Sequence, residues 1–322
     1  MQAATMAAPG AAPVHEQIDE PAAGQGLVRV RVHAAALSPL ARSRAAGRHY
    51  SVDAPSARFV PGVDGVGVLD DGRRVYFVLP QSPHGSMAGW SVVDPSHCIA
   101  LPDALDDVTA AALAIPGMSS WAALRERARF EPGGVVLVNG ATGASGRLAV
   151  QVARRLGARK VIATGRNVAA LESLQAVGAD VVIALGQDGD ALRAALEAQF
   201  AAGVDVVLDY LWGASAEAVL GAAVRAAPAT LPIRYVSIGS AGGADITLPS
   251  AALRSSAIEL LGSGLNSVPL PRLKDAIAQV FAAATEKAFE LPVEAVALSR
   301  VAEAWGRPDA GARVVFTLGA AA

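Results

Sequence analysis

The chain has 322 residues and a formal net charge of -2, enough length for two domains and a large core but no electrostatic case for nucleic acid. Hydrophobic residues make up 52% but aromatic residues only 5%, so alanine carries much of the apolar content, and no apolar run is long enough to span a bilayer. The single cysteine, Cys98, excludes an internal disulfide and a four-cysteine zinc lobe. Its apolar, strand-like surroundings read as structural rather than nucleophilic. The N-terminus lacks a basic segment followed by an apolar core, so the expectation is a cytoplasmic protein without a signal peptide.

The first third reads as β. Residues 27–33 alternate valine with charged residues after the first position, the pattern of a half-buried antiparallel strand. Short strands at 66–69, 75–78 and 90–93 follow, separated by Pro61-Gly62, Asp70-Asp71-Gly72 and Pro83-His84-Gly85. Near residue 106 the pattern changes. Residues 106–114 read as a helix with acidic residues in its first turn, Pro116-Gly117 as a break, and 121–127 as a second helix. The domain switch is expected within 117–133.

Residues 135–150 organise the rest. Val135-Val136-Leu137-Val138 reads as a strand buried on both faces, Gly140, Gly143 and Gly146 turn the chain, and a helix pattern follows at once. Such a turn lets backbone approach a pyrophosphate, and the new helix supplies free N–H groups and its positive dipole end. A glycine trio is weak evidence in a glycine-rich chain; strand, turn and helix together raise it to a dinucleotide-binding signature. The departure is Ala141, where the fingerprint has its first glycine.

In the following helix Leu148, Val152 and Leu156 share one face, and Arg147, Gln151, Arg154 and Arg155 the other. Strands at 160–164, 180–184, 204–208 and 233–238 then alternate with helices at 169–177, 190–200 and 214–225, and 258–262 supplies a sixth strand. That alternation predicts a parallel, doubly wound α/β sheet of the Rossmann kind. A helix at 270–284, a strand at 293–297, a short helix at 299–305 and a strand at 313–317 suit a return to the β-rich domain.

The residue at the end of the second parallel strand selects between NAD and NADP. An acid there would repel a 2′-phosphate; this chain has Thr164-Gly165-Arg166-Asn167. Arginine offers planar donors to phosphate and Gly165 leaves room beside the ribose, which favours NADP(H). Asp209, closing the strand at 204–208, reads as a structural cap on the next turn. Trp90 and Trp212 read as packing residues or as the lining of an apolar pocket.

Several stretches resemble the medium-chain dehydrogenase/reductase superfamily, and they run nearly the whole length. Ala34-Ala35-Ala36-Leu37-Ser38-Pro39 resembles the early loop of quinone oxidoreductases, and Pro61-Gly62-Val63-Asp64-Gly65-Val66-Gly67 the superfamily's Gly-His-Glu segment. Gly117-Met118-Ser119-Ser120-Trp121 resembles its Gly-Leu-Thr-Ala segment, with later matches at 206–209 and 254–264. The resemblance implies a GroES-like barrel domain, 1–120 completed by 268–322, and a Rossmann NADP-binding domain, 121–267. Zinc-dependent members carry a cysteine and a histidine where this chain has Ser38 and Val63. None of the five histidines lies at metal-ligand spacing from another on a helix, so no metal site is expected.

What the resemblance implies is zinc-independent hydride transfer from NADPH to a quinone or an activated C=C bond, with hydrogen bonds in place of a metal. Thr142, Gly143, Ala144 and Ser145 are expected on the diphosphate, and Gly165, Arg166 and Asn167 on the 2′-phosphate. Ser38, Ser119, Ile238, Gly239, Ser263 and Gly264 match family segments near the nicotinamide. Tyr50 matches a loop bordering the family's cleft and reads equally as a proton donor or as a packing aromatic, with solvent as the other proton source. A homodimer through the edge strand at 258–262 is the family expectation. Two rival readings remain beside it. Short-chain dehydrogenases need a tyrosine four residues before a lysine, and none of the four tyrosines has one. An NADPH-binding sensor or structural protein with little turnover would share every cofactor feature.

Overall fold

A parallel sheet in one unit and a largely antiparallel sheet in the other organise the chain, whose computed structural model describes residues 1–51, 58–307 and 311–318. One unit comprises Met1–Ile115 with Ile277–Ala322, the other Pro116–Ala276.

The first unit begins with a small antiparallel pair, β1 (Gln2–Thr5) and β2 (Val14–Gln17). Its main strands are β3 (Val28–Ala36), β4 (Asp64–Leu69), β5 (Arg74–Val78), β6 (Trp90–Val93) and β7 (Cys98–Ala100), with α1 (Pro39–Ala45) after β3. Valine alternation in β3 places Val30 and Val32 in the core while Arg29 and Arg31 face outward, as the period of two requires. Arg29 lies over the Trp90 ring, 4.3 Å from its centroid, so Trp90 packs as a cation–π partner. Cys98 is half-buried in the short β7 rather than enclosed.

From Asp107 a helix, α2 (Asp107–Ala122), runs through Pro116 without the expected break. An interior proline removes one helix hydrogen bond and costs about 3 kcal/mol. Burial of Ala110, Ala111, Ala112, Leu113, Ala114, Met118 and Ala122 offsets it. Ser119 and Ser120 bond back to the Pro116 and Gly117 carbonyls, at 2.8 and 3.0 Å. One π-helical stretch, Ala123–Arg127, then continues what was expected as a separate helix.

In the second unit β8 (Val135–Asn139), α3 (Ala144–Arg155), β9 (Lys160–Gly165), α4 (Val168–Glu172), β10 (Val181–Ala184), α5 (Gly189–Ala201), β11 (Val206–Asp209), α6 (Gly213–Ala226), β12 (Ile233–Ser237), α7 (Ser250–Arg254) and β13 (Ile258–Gly262) follow in turn. The six strands pair in parallel in the order β10-β9-β8-β11-β12-β13. Strand order reverses direction between β8 and β11, which makes their carboxyl ends the switch point where such sheets bind ligands. All of β8 is buried, as a strand covered on both faces should be. Leu148, Val152 and Leu156 are buried on α3, and the Arg154 side chain on its other face pairs with Asp180. The helix expected over 169–177 is instead α4 followed by a 3-10 turn, Gln175–Val177.

Last come α8 (Leu270–Glu286), β14 (Val293–Ala297), α9 (Val301–Trp305) and β15 (Arg313–Thr317). Strand β15 pairs with β3, so the return predicted from the alternating C-terminal segment takes place within the first unit's sheet. Phe316 on β15 is fully buried there, a contribution of about 2 kcal/mol or more.

Candidate functional site

The glycine turn follows the buried strand β8 and opens α3. Gly140 sits at φ +88, a left-handed conformation that disfavours any side chain. A Cβ on Gly146 would strike the Gly140 carbonyl oxygen and lie 2.5 Å from the Ala141 Cα, so the helix packs directly on the turn. Gly143 differs: it is exposed, at φ -83, and a Cβ there would meet nothing within 4 Å. No packing within the protein requires glycine at this position. Gly143 is also the N-cap of α3, with no side-chain capping bond, and the first turn carries no acid. The N–H groups of the first turn, around Ala144 and Ser145, are open to an anion together with the helix dipole. Thr142 stands half-buried beside Gly165, whose Cβ would crowd the Thr142 side chain.

A buried polar network holds this turn. Asn139, the last residue of β8, donates from Nδ2 to Asp209 Oδ1 at 2.8 Å and to Ser215 Oγ at 3.0 Å. Its Oδ1 accepts from Thr164 Oγ1 at 2.7 Å, and Thr164 Oγ1 accepts from the Gly140 amide at 3.3 Å. Asp209, fully buried, also accepts from the Leu211 and Trp212 amides and, at 2.8 Å, from the Tyr235 hydroxyl. The reading of Asp209 as a cap is what the structure shows, and the carboxylate additionally ties the ends of β8 and β11 to the middle of β12. Burial and the Asp209 carboxylate raise the Tyr235 hydroxyl pKa, so it remains a donor. Trp212 takes φ +57 at the start of α6, and its ring meets Tyr235 edge-on at 6.3 Å, which makes it a packing residue.

At the end of β9, Gly165 is buried while Arg166 and Asn167 are exposed. Asn167 caps α4, its Oδ1 accepting from the Ala170 amide at 3.0 Å, which leaves its Nδ2 as the atom available to a ligand. Arg166 makes no ion pair among the described residues. The remaining candidates of this unit are held by their backbones. Ile238 and Gly239 both donate their amides to the Asp209 carbonyl, at 2.7 and 3.2 Å. The Ser263 amide bonds the Ser237 carbonyl and the Gly264 amide bonds Ser267 Oγ. Ser119 lies on α2, its hydroxyl 3.4 Å from that of Tyr210. Neither the sequence motifs nor the composition singled out Asn139 or Tyr210; their position at the carboxyl ends of β8 and β11 was the available signal.

Ser38 and Tyr50 belong to the first unit. Ser38 is buried and caps α1, its Oγ accepting from the Ala41 amide at 2.9 Å. Tyr50 is 64% exposed, with its ring 4.2 Å from that of His49. Val63 is buried and supplies no donor. No group of three or more His, Cys, Asp or Glu side chains that could hold a metal occurs among the described residues. Ser38, whose hydroxyl caps α1, and Val63, which has no ligating atom, are not among the usual zinc-ligating side chains.

Residues 144–283 match the family model described as zinc-binding dehydrogenase, a stretch that includes neither Ser38 nor Val63. The chain is 29% identical to a probable NADPH-dependent quinone reductase of Emericella nidulans, over 94% of this chain and 96% of that protein. It is 32% identical to a 2-methylene-furan-3-one reductase of Solanum lycopersicum over 48% of this chain and 44% of that one. Among solved structures, the quinone oxidoreductase of Thermus thermophilus, also solved in complex with NADPH, is 27% identical with a TM-score of 0.78, covering 99% of this chain and 100% of that one.

Proposed function

We propose that the chain is a member of the quinone oxidoreductase-like family of medium-chain dehydrogenase/reductases and an enzyme that transfers hydride from NADPH to a quinone or an activated C=C bond. The observation that carries the cofactor half is the pairing of the uncapped start of α3 with Arg166 at the end of β9. The first accepts a diphosphate through Thr142, Gly143, Ala144 and Ser145; the second supplies a positive, planar donor set for a 2′-phosphate. Bound there, NADPH supplies the hydride. The protein supplies binding, orientation and polarisation of the acceptor.

The same proposal has the reaction proceed without zinc, because Ser38 is used as a helix cap and Val63 has no ligating atom. Carbonyl polarisation then falls to hydrogen bonds. Reduction of the acceptor needs one hydride and one proton. Tyr50, exposed at the surface of its unit, is the proposed proton donor; an unchanged kcat in Tyr50→Phe would assign that proton to solvent. A homodimer is proposed through β13, the edge of its sheet, where Leu260 is exposed. No helix among the described residues is long and apolar enough to cross a membrane, and a cytoplasmic location is part of the proposal.

Steady-state oxidation of NADPH against a panel of quinones and enones tests the reading. Turnover with either class is expected. Quenching of NADPH fluorescence without turnover on any acceptor would instead identify a sensor.

A further inference from the structure

Thr164, fully buried on β9 and opposite Asn139 in the parallel register, holds two consecutive amides of the glycine turn. The Gly140 amide donates to its Oγ1 at 3.3 Å and the Ala141 amide to its carbonyl at 2.8 Å. Thr142 continues the contact on the next residue of β9, since a Cβ on Gly165 would lie 2.5 Å from Thr142 Cγ2. Residues 140–142 are thus laid directly against residues 164–165.

Every bond at the Thr164 hydroxyl has one possible direction. A backbone amide only donates, so Oγ1 accepts from Gly140. Asp209 Oδ1, which also takes the Leu211 amide at 2.9 Å, faces the Asn139 carboxamide as an acceptor. Asn139 therefore turns its nitrogen to Asp209 and its oxygen to Thr164. The single Thr164 hydrogen goes to that oxygen, at 2.7 Å. This hydroxyl has no hydrogen left for a ligand and acts on one only through the turn.

Glycine populates both signs of φ, so Gly140 does not by itself hold the φ of +88 that the turn needs. The Thr164 hydroxyl supplies the missing restraint from outside the turn. It also faces the Gly140 amide inward, as its carbonyl does that of Ala141, so the amides left to an anion begin at Thr142. We propose that Thr164 is a positioning residue: it fixes the Gly140 peptide and thereby presets the amides of Thr142, Gly143, Ala144 and Ser145 toward the diphosphate. This rests on the NADPH reading above. The 2′-phosphate plays no part in it, so the effect is the same on both nicotinamide cofactors.

Two measurements test this. In Thr164→Val, which keeps the branched shape and removes the hydroxyl, the Kd for NADPH and for NADH should rise by the same factor, about three- to tenfold. Thr164→Ser keeps the hydroxyl and should restore wild-type affinity for both. Amide hydrogen exchange followed by NMR supplies a readout on the wild-type protein, so the test survives if Thr164→Val fails to fold. The Gly140 and Ala141 amides should exchange slowly with or without NADPH, while those of Thr142 to Ser145 exchange fast and are slowed by NADPH. In Thr164→Val the Gly140 amide alone of the first two should become fast. An unchanged NADPH affinity in Thr164→Val, a loss confined to NADPH, no rescue by serine, or a fast Gly140 amide in wild type each overturns the proposal while leaving the NADPH reading in place. Wild type that binds no NADPH would sink that reading, and this inference with it.

Discussion

Asn139 and Asp209 close β8 and β11, neighbouring strands with a 2.8 Å hydrogen bond between their side chains, and on this pair the glycine turn is built. Asp209 accepts from one side-chain amide, one phenol and two backbone amides with no water-exposed surface. Asp209→Ala would strand all of them. Each buried donor left without an acceptor costs about 1–3 kcal/mol, so a loss of about 3 kcal/mol or more is expected in urea unfolding. Asp209→Asn keeps one carbonyl oxygen for the Asn139 side and should lose less. Equal, small losses for both would show that the network is dispensable.

Two glycines of the turn should respond in opposite ways. In Gly146→Ala the new methyl collides with the Gly140 carbonyl oxygen and the Ala141 Cα, both backbone, and neither can swing aside. Destabilisation of several kcal/mol and a lowered Tm are expected, since backbone must move. Gly143→Ala meets nothing in the protein and has an ordinary φ. It should leave Tm unchanged and weaken NADPH binding tenfold or more, an order-of-magnitude expectation for crowding a diphosphate that needs close backbone approach. Unchanged NADPH affinity in Gly143→Ala would remove the diphosphate from this turn.

These two glycines also mark how far the sequence could be read. The strand–turn–helix around Gly140, Gly143 and Gly146 was legible because burial on both faces leaves an unbroken apolar run in β8 and the turn needs glycine. That the strands pair in parallel followed from the alternation of strands and helices after the turn. Helix α2 was read as broken at Pro116 because local propensity opposes a proline there. Its continuation depends on tertiary burial of Ala110–Ala114 and on serine back-bonds, and neither has a sequence period. Strands β1, β2 and β7 and helices α1 and α7 went unread, being three to seven residues long, too short for a period to show. Ser38 was read for its family position, while its local work, capping α1, is the ordinary use of a serine before Pro39. Tyr210 could not be found by motif. Its reach to Ser119 joins positions 91 residues apart, a distance only the fold closes.

Arg166 is the residue proposed to set the cofactor preference. Arg166→Asp replaces a donor set by a like charge facing the 2′-phosphate, while an aspartate at this position would accept from the ribose hydroxyls of NADH. The Kd for NADPH should rise by two orders of magnitude or so, and that for NADH should stay level or fall. Isothermal titration with both cofactors measures the ratio. Equal losses would detach Arg166 from the 2′-phosphate and return it to the solvated tip of the β9 turn.

In the first unit, Asp64 gives the fold a pH dependence that can be isolated. It lies at the start of β4, fully buried, its Oδ2 accepting from the Tyr76 hydroxyl at 3.0 Å. Its Oδ1 has no hydrogen-bond partner. Burial pushes the carboxyl up from 3.8 to about 6, with Arg313 and the Tyr76 hydrogen bond pulling it back down. In the unfolded chain an aspartate titrates near 3.9. Between about 4 and 6 the native state therefore holds a proton that the unfolded state has released. Stability should fall as pH rises through this window and level off above it, by a few kcal/mol at most. The more usual aspartate, lowered by a salt bridge, would slope the other way. Asp64→Asn cannot titrate and keeps a carbonyl oxygen for Tyr76, so its urea-unfolding free energy, measured from about pH 4 to about pH 7, should lack this component. Parallel profiles for wild type and Asp64→Asn across that range would show that Asp64 is already ionised in the folded protein, with Arg313 outweighing burial.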